Sequence, residues 1–452
     1  MKPNNGKPHI KATVRPKILL TDTTRWPVGP RLAIAFSELE CEVAVLCPSP
    51  GHPIEKTSAV YRVFHHSGLR PLTALRSAVE SFDPDIIIPL CDRGVQHLHD
   101  LYALAHSQGF SNSRMVQLIE CSLGSKESFR IVSSRHELLK LAHSEGILVP
   151  GMIAIENKGD LSSWNRETAP PWVVKADGTS GGRGVRVANT TKEAEQHFLD
   201  LVQQPGLIEL AKRLLLNRDR GWILSERKQA RPGIIAQSFI DGRPANCGAV
   251  CWEGELLAWI CVEVIQTLGP REPATVVQVV EGAEMMQAAK RIAKRLKLSG
   301  FFGLDFVIEN GTGLIYLIEM NPRCTPPCPL PLGKGRDLVM ALCAQLAGQP
   351  KRDRACVTTK NRIAYFPQCW EPLTDSRMVD SVYCDVPKDE PELVQELLHP
   401  WSARSYLGQL LDWVREISGR KRTLTTCVFE DAMESSKTDG AVDAVPSHLR
   451  IK

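Results

Sequence analysis

The stretch GLDFVIENGTGLIYLIEMNPR, residues 303–323, constrains the fold of this chain more than any other. Two apolar runs rich in β-branched and aromatic residues flank Asn-Gly-Thr-Gly, the pattern of an antiparallel hairpin closed by a tight turn. Side chains in such a pair alternate between faces with a period of two. Glu319 and Asn321 therefore share one face of their strand, and closure at NGTG sets Asp305 opposite them. Two carboxylates and an amide oxygen on one face suit Mg²⁺, a hard cation that takes oxygen ligands and keeps water or phosphate in the rest of its shell. Mn²⁺ is the alternative ion. Arg323 follows on the same side when the alternation runs through Pro322. An ordinary solvated polar face uses the same residue types, but Glu319 stands inside LIYLIEM, where an unpaired carboxylate is costly.

A second stretch, WVVKADGTSGGRGVRVA (172–188), places an apolar strand with one lysine before a run of glycines. Gly178, Gly181, Gly182 and Gly184, with Ser180 among them, allow backbone N–H groups to approach anionic oxygens unhindered. Lys175 on the incoming strand supplies a point charge. No Gly-Lys-Ser/Thr tripeptide ends the run, so it is not a P-loop. The two readings are a flap over phosphates and a plain glycine-punctuated hairpin. A carboxylate–carboxylate–asparagine set downstream favours the flap.

Around these lie the signals of a multi-lobed α/β chain. Its 452 residues are 43% hydrophobic, enough to bury several cores. Apolar runs at 17–22, 41–47 and 83–92 alternate with helix-like segments, predicting parallel βαβ units over 15–115. The turn after the first run lacks Gly-x-Gly-x-x-Gly, which disfavours a dinucleotide-binding Rossmann domain. Helices are predicted at 133–146, 206–220 and 284–297, strands at 172–176, 184–188 and 233–242, and a hairpin over 246–266. The net charge of +4 gives no reason to expect nucleic acid or an anionic membrane. No apolar run approaches the roughly 20 residues of a membrane-spanning helix, and the polar opening MKPNNGKPHIKATVRP carries no secretory signal. Fourteen scattered cysteines without a Cys-x-x-Cys pair read as free thiols of a cytoplasmic protein.

The order of elements resembles the ATP-grasp superfamily, which includes D-alanine–D-alanine ligase, biotin carboxylase and the carbamoyl-phosphate synthetase large chain. The resemblance covers roughly residues 15–350, with GSKESF, VVKADGTSGGRGV, the hinge strand IIAQSFIDG and the IEMNPR ending as its motifs. It implies an α/β fold with α+β lobes: an N-terminal arm (1–14), a parallel pre-grasp domain (15–115) and an ATP-grasp domain (116–350) whose small lobe spans about 150–240. A C-terminal appended domain (351–430) and a disordered tail (431–452) complete the expected layout. It further implies that Lys126 and Lys175 hold ATP phosphates beneath the 178–184 loop. Backbone around Gln237, Ser238, Phe239 and Ile240 would meet adenine, Asp305, Glu319 and Asn321 would hold Mg²⁺, and Arg323 would steady the transferred phosphoryl group. The implied activity is ATP-dependent joining of a small-molecule carboxylate, activated as an acyl phosphate, to an amine, with ADP and phosphate released. Bicarbonate activation and nucleotide binding without turnover are the alternatives, and a homodimer is the implied assembly.

Several features depart from the pattern or lie beside it. The hinge reads Gln237-Ser238-Phe239 and Pro244 stands where relatives often carry an acid, with Glu226 as a substitute. His65, His66 and HLHD (97–100) lack partners at metal-ligand spacing and read as solvated histidines. CTPPC (324–328) reads as shaping an acceptor pocket. Lys334 and Arg336 fit an anionic substrate or a solvated loop equally. Tyr365, Phe366, Trp370, Trp401 and Trp413 read as the core of the appended domain, and specificity is expected in loops 22–31, 90–97 and 323–336.

Overall fold

The computed structural model describes residues 15–48, 51–66, 70–109, 113–178, 184–202, 232–269, 273–369 and 381–398. Strands β1 (Lys17–Thr21), β2 (Glu42–Pro48), β3 (Arg62–His66) and β4 (Ile86–Pro89) form a parallel sheet in the order β3-β2-β1-β4. Ile18, Leu19 and Leu20 are all fully buried, an unbroken run because helices cover both faces. Helix α1 (Val28–Ser37) packs with Ile18 and Leu20 on one face. Helices α2 (Pro71–Phe82), α3 (Asp92–Ser107) and α4 (Arg114–Leu123) pack with Leu19 on the other. The expected boundary at 115 therefore falls inside this unit, since Val116, Leu118 and Ile119 of α4 complete its core.

Helix α5 (Arg135–Ser144) leads to a small antiparallel sheet. It contains β5 (Met152–Ala154), β6 (Trp172–Ala176), β7 (Val185–Ala188) and β8 (Ile234–Ser238) in the order β5-β8-β6-β7. Helices α6 (Lys158–Trp164) and α7 (Thr191–Val202) back it, with Trp164 and Trp172 ring centroids 4.7 Å apart. The glycine stretch joins β6 to β7, which pair antiparallel with Lys175 opposite Val185. The helix expected at 206–220 and the tail lie outside the described residues.

The large sheet has seven strands, in the order β13-β12-β9-β10-β11-β14-β15. These are β9 (Gly242–Trp252), β10 (Glu255–Thr267), β11 (Ala274–Val280), β12 (Gly300–Glu309), β13 (Ile315–Asn321), β14 (Arg362–Ala364) and β15 (Tyr383–Cys384). Helix α8 (Ala283–Leu296) lays Ala289, Ile292 and Ala293 on one face together with α5. Helix α9 (Leu338–Ala347) covers the other face, where Leu342 and Leu346 share one continuous core with Phe36 of α1. The parallel unit is thereby fused to the back of the large sheet.

Among the described residues of the expected 351–430 appendage, two strands and a helix join the large sheet. β14 extends the large sheet through Val277 opposite Ile363, and α10 (Pro391–Leu398) packs on Phe366, Cys369 and Val382 beneath it. Tyr365 and Phe366 are buried as expected, but they belong to this shared body; Trp370, Trp401 and Trp413 lie outside the described residues.

Candidate functional site between the two lobes

β6 and β8 of the small sheet meet β13 of the large sheet through direct side-chain contacts. Lys175 Nζ donates to the Ile318 carbonyl at 3.3 Å, and Gln237 Nε2 of β8 reaches the same oxygen at 3.5 Å. Lys175 is buried. Desolvation pulls its pKa down to about 8, opposed by Glu319 and Asp305 and aided by Arg135.

Arg135 is the residue that sequence reasoning missed. It opens α5 behind the Ser134 cap, whose side chain accepts from Glu137 N at 3.4 Å. Its Nη2 donates to Glu319 Oε1 at 2.6 Å, its backbone N–H donates to Asp177 Oδ1 at 3.0 Å, and its guanidinium also donates to the Ala176 carbonyl. A cation in the first helical turn opposes the helix dipole, which favours acids there. That mismatch, inside the predicted 133–146 helix, was the available signal. Asp177 completes the junction; burial raises its pKa, with Arg135 opposing and Glu319 adding to the rise. Lys126, expected to hold an ATP phosphate, stands apart from these contacts. It is exposed on the 3-10 turn Lys126–Ser128 and shares in none of these contacts. Arg135 supplies the cation at the mouth of the cleft.

The acidic hairpin forms as its sequence predicts, with Asp305 directly opposite Glu319 and Asn321 opposite Gly303. Asn321 Nδ2 donates to Asp305 Oδ2 at 2.8 Å, and Asn246 Nδ2 on the adjoining strand β9 donates to Asp305 Oδ1 at 2.6 Å. Burial raises the Asp305 pKa and the Glu319 charge adds to the rise, against the two amides and Arg323. Asn246 Oδ1 is buried without a partner. Facing carboxylates, amide oxygens and an orphaned acceptor are a donor set that fits a hard divalent cation. Arg323 lies on the same side as expected. Its Nη2 donates to Asn321 Oδ1 at 3.0 Å, and its Nε donates to Asp92 Oδ1 at 3.1 Å, at the start of α3.

Asp92 thus links the cleft to the carboxyl ends of the parallel strands, where open α/β sheets bind ligands. There Thr21 Oγ1 and Asp22 Oδ2 are buried without a hydrogen-bond partner, and the buried His66 ring lies against the Asp22 backbone. His52 Nε2 approaches Asp22 Oδ2 at 3.8 Å. Burial raises the Asp22 pKa despite His52.

The remaining expected residues divide. Gly178 adopts φ +69° in open space, and Gly184 O accepts from Ala176 N at 3.1 Å. Ser180, Gly181, Gly182 and Glu226 lie outside the described residues. The backbone N–H groups of Ser238 and Phe239 are taken by the carbonyls of Gly151 (2.8 Å) and Pro171 (3.0 Å), while the Phe239 side chain is exposed. His97 and His99 are half-buried rather than solvated, each held down to about 4 by desolvation, His97 also by His66 and Arg93. Arg336 pairs with Glu281 at 2.5 Å, and Lys334 is exposed. Cys324, Thr325 and Cys328 are buried against β9 and β12.

Known proteins resemble this chain in sequence and fold. An ATP-grasp domain model matches residues 220–327. The carbamoyl phosphate synthase large chain of Thermotoga maritima is 26% identical over 267 residues, 56% of this chain and 22% of that protein. The arginine-specific large chain of Geobacillus stearothermophilus is 23% identical over 189 residues, 40% and 15%. The match thus spans about a fifth of the length of these relatives. Among solved structures, N5-carboxyaminoimidazole synthetase from Staphylococcus aureus complexed with ADP superposes with a TM-score of 0.52 at 15% identity, over 75% of this chain and 79% of that one. The biotin carboxylase domain of Hydrogenobacter thermophilus 2-oxoglutarate carboxylase, in complex with MgADP and bicarbonate, gives 0.52 at 15% identity, over 74% and 70%.

Proposed function

From the premise that this chain is a member of the ATP-grasp superfamily, with the fold and domain match just described, we propose that it is an ADP-forming ligase joining a small-molecule carboxylate to an amine. The observation that carries the reading is the convergence of Lys175, Arg135, Glu319 and Asp305 where the small and large sheets meet. Lys175 on the small sheet and Arg135 at the start of α5 neutralise triphosphate oxygens. Asp305, Glu319 and Asn321 would hold Mg²⁺, which would supply positive charge to the triphosphate, and Asn246 orients Asp305 by donating to its Oδ1. A carboxylate oxygen attacks the γ-phosphorus and ADP departs, while Arg323, pinned by Asp92, meets the charge that grows on the transferred group. The amine then attacks the acyl carbon, loses a proton and expels phosphate. The buried polar groups of Thr21, Asp22 and His66 support placing one of the two substrates at the end of the parallel sheet.

A second reading, bicarbonate as the carboxylate, draws support from the carbamoyl phosphate synthase and biotin carboxylase likenesses. A screen of amino acids and other carboxylates for MgATP-dependent phosphate release separates the two. The ligase reading expects release that needs both an acid and an amine, the second expects bicarbonate-dependent release without amine, and ATP binding with no release under any mixture would leave only a nucleotide-binding regulatory role. In either enzymatic case Glu319→Ala is expected to abolish turnover, and release untouched by it would overturn the proposed metal site. A cytoplasmic homodimer belongs to the same proposal. It is consistent with thirteen free, mostly buried cysteines among the described residues and checkable by sedimentation. No helix there is long and apolar enough to cross a membrane.

A further inference from the structure

We propose that Cys47, Glu55 and His65 form a binding site for a thiophilic divalent cation, with zinc the best-fitting ion, separate from the nucleotide cleft. The three arrive from different elements. Cys47 and His65 are register partners on the parallel strands β2 and β3, so their side chains emerge on the same side of the sheet. Glu55 comes from the 3-10 turn Pro53–Lys56, which His52 caps by accepting from Ile54 N at 3.3 Å. The candidate ligand atoms of all three lie within 4.8 Å of one another.

The spacing matches what a tetrahedral ion requires. Metal–ligand bonds of about 2.3 Å to sulfur and about 2.1 Å to nitrogen or oxygen give tetrahedral edges of roughly 3.6 Å and 3.4 Å. Cys47 Sγ stands 3.5 Å from Glu55 Oε1, and His65 Nε2 stands 3.0 Å from the same oxygen. Small side-chain adjustments therefore open the triangle around an ion without moving the strands. The charges also close, because one thiolate, one carboxylate and a neutral imidazole cancel a divalent cation, which suits a partly buried place. Cys47 is fully buried, whereas the Glu55 and His65 side chains are 20% and 43% exposed, so the site opens to solvent on one side. Water takes the fourth position there. A thiolate–imidazole–carboxylate set selects zinc over magnesium or calcium. On binding, the Cys47 S–H bond breaks and its proton leaves to solvent, while His65 coordinates through Nε2 with its proton on Nδ1. The structural consequence is a clamp that fixes the Pro53–Lys56 turn, and with it His52, over Asp22.

The test uses the full chain, stripped with a chelator and carrying Cys356→Ser to remove an exposed thiol. Titration with zinc alone is expected to show one tight equivalent with release of a proton, and cobalt in its place should show a thiolate-to-metal charge-transfer band. The oxygen ligands of the nucleotide cleft cannot give that band. His65→Ala, at an exposed position, should weaken zinc binding at least tenfold and remove the zinc-dependent rise in Tm. Cys47→Ser should remove the cobalt band; if it fails to fold, Glu55→Gln serves with the same expectation of weakened binding. A cobalt spectrum without a thiolate band, or zinc affinity and Tm shift unchanged in His65→Ala, would overturn the site.

Discussion

Arg135 and Lys175 carry the charge balance of the cleft, and each makes a separate prediction. Arg135 sits between Asp177 and Glu319, so Arg135→Ala is expected to lower kcat/KM for ATP by about 10²–10³-fold, the scale of losing one positioned charge donor. Lys126→Ala, at an exposed turn, should leave it within about twofold. Equal losses from the two variants would restore Lys126 to the phosphate site. Lys175, titrating near about 8 in the free protein, is charged below that pH and increasingly neutral above it. ATP affinity is therefore expected to be full below pH 8 and to fall as pH rises through it. Lys175→Arg keeps its charge throughout and should flatten that decline, which titration of a fluorescent ATP analogue between pH 6.5 and 9.5 would read. The same depression means that the folded state gains stability from this group as pH rises between about 8 and the ordinary lysine value, since only the unfolded chain still binds the proton there.

Elements place these residues by pairing and by close backbone approach. Strand β12 carries Asp305 between β9 and β13, and Gly303 lets Thr325 lie directly against the strand, where an added Cβ would collide with the Thr325 side chain. Gly303→Ala is accordingly expected to cost about 1–3 kcal/mol in urea denaturation and to raise KM for substrate through the displaced 324–328 loop. An unchanged midpoint would show that the loop gives way freely. The acidic hairpin was legible because period-two alternation and Asn-Gly turn chemistry are local rules. The histidines were not. His65 has no ligand at sequence spacing, and only the β2–β3 register brings it beside Cys47, while burial rather than solvent surrounds His97 and His99.

The whole molecule is held together by contacts between segments far apart in sequence. Arg31 of α1 donates from Nε to Asp385 Oδ2 at 3.2 Å, and Arg25 Nη2 reaches Glu396 Oε1 at 2.7 Å, with both acids buried. Residues 381–398 are thereby locked to the parallel unit. Arg31→Ala would strand Asp385 without its cation, at a cost of about 3–5 kcal/mol, and differential scanning calorimetry should show one transition moving down as a unit. Two separated transitions would instead mean that the C-terminal segment is the independent domain its composition suggests. Proline and charge content made it read as an appendage, whereas β14 and β15 continue the large sheet.

By itself the sequence determined the parallel α/β unit, the lysine-bearing strand before the glycines, and the carboxylate pair of the hairpin. Each of these is written in periodicity or turn chemistry that acts within some twenty residues. Only the tertiary structure decided that Arg135 and not Lys126 reaches Glu319, that Asn246 braces Asp305, that Asp92 holds Arg323, and that the chain past residue 350 finishes a sheet begun more than a hundred residues earlier. Those choices depend on which faces pack and which strands pair across long loops. Burial and charge neutralisation settle them once the lobes close, and no local pattern encodes that.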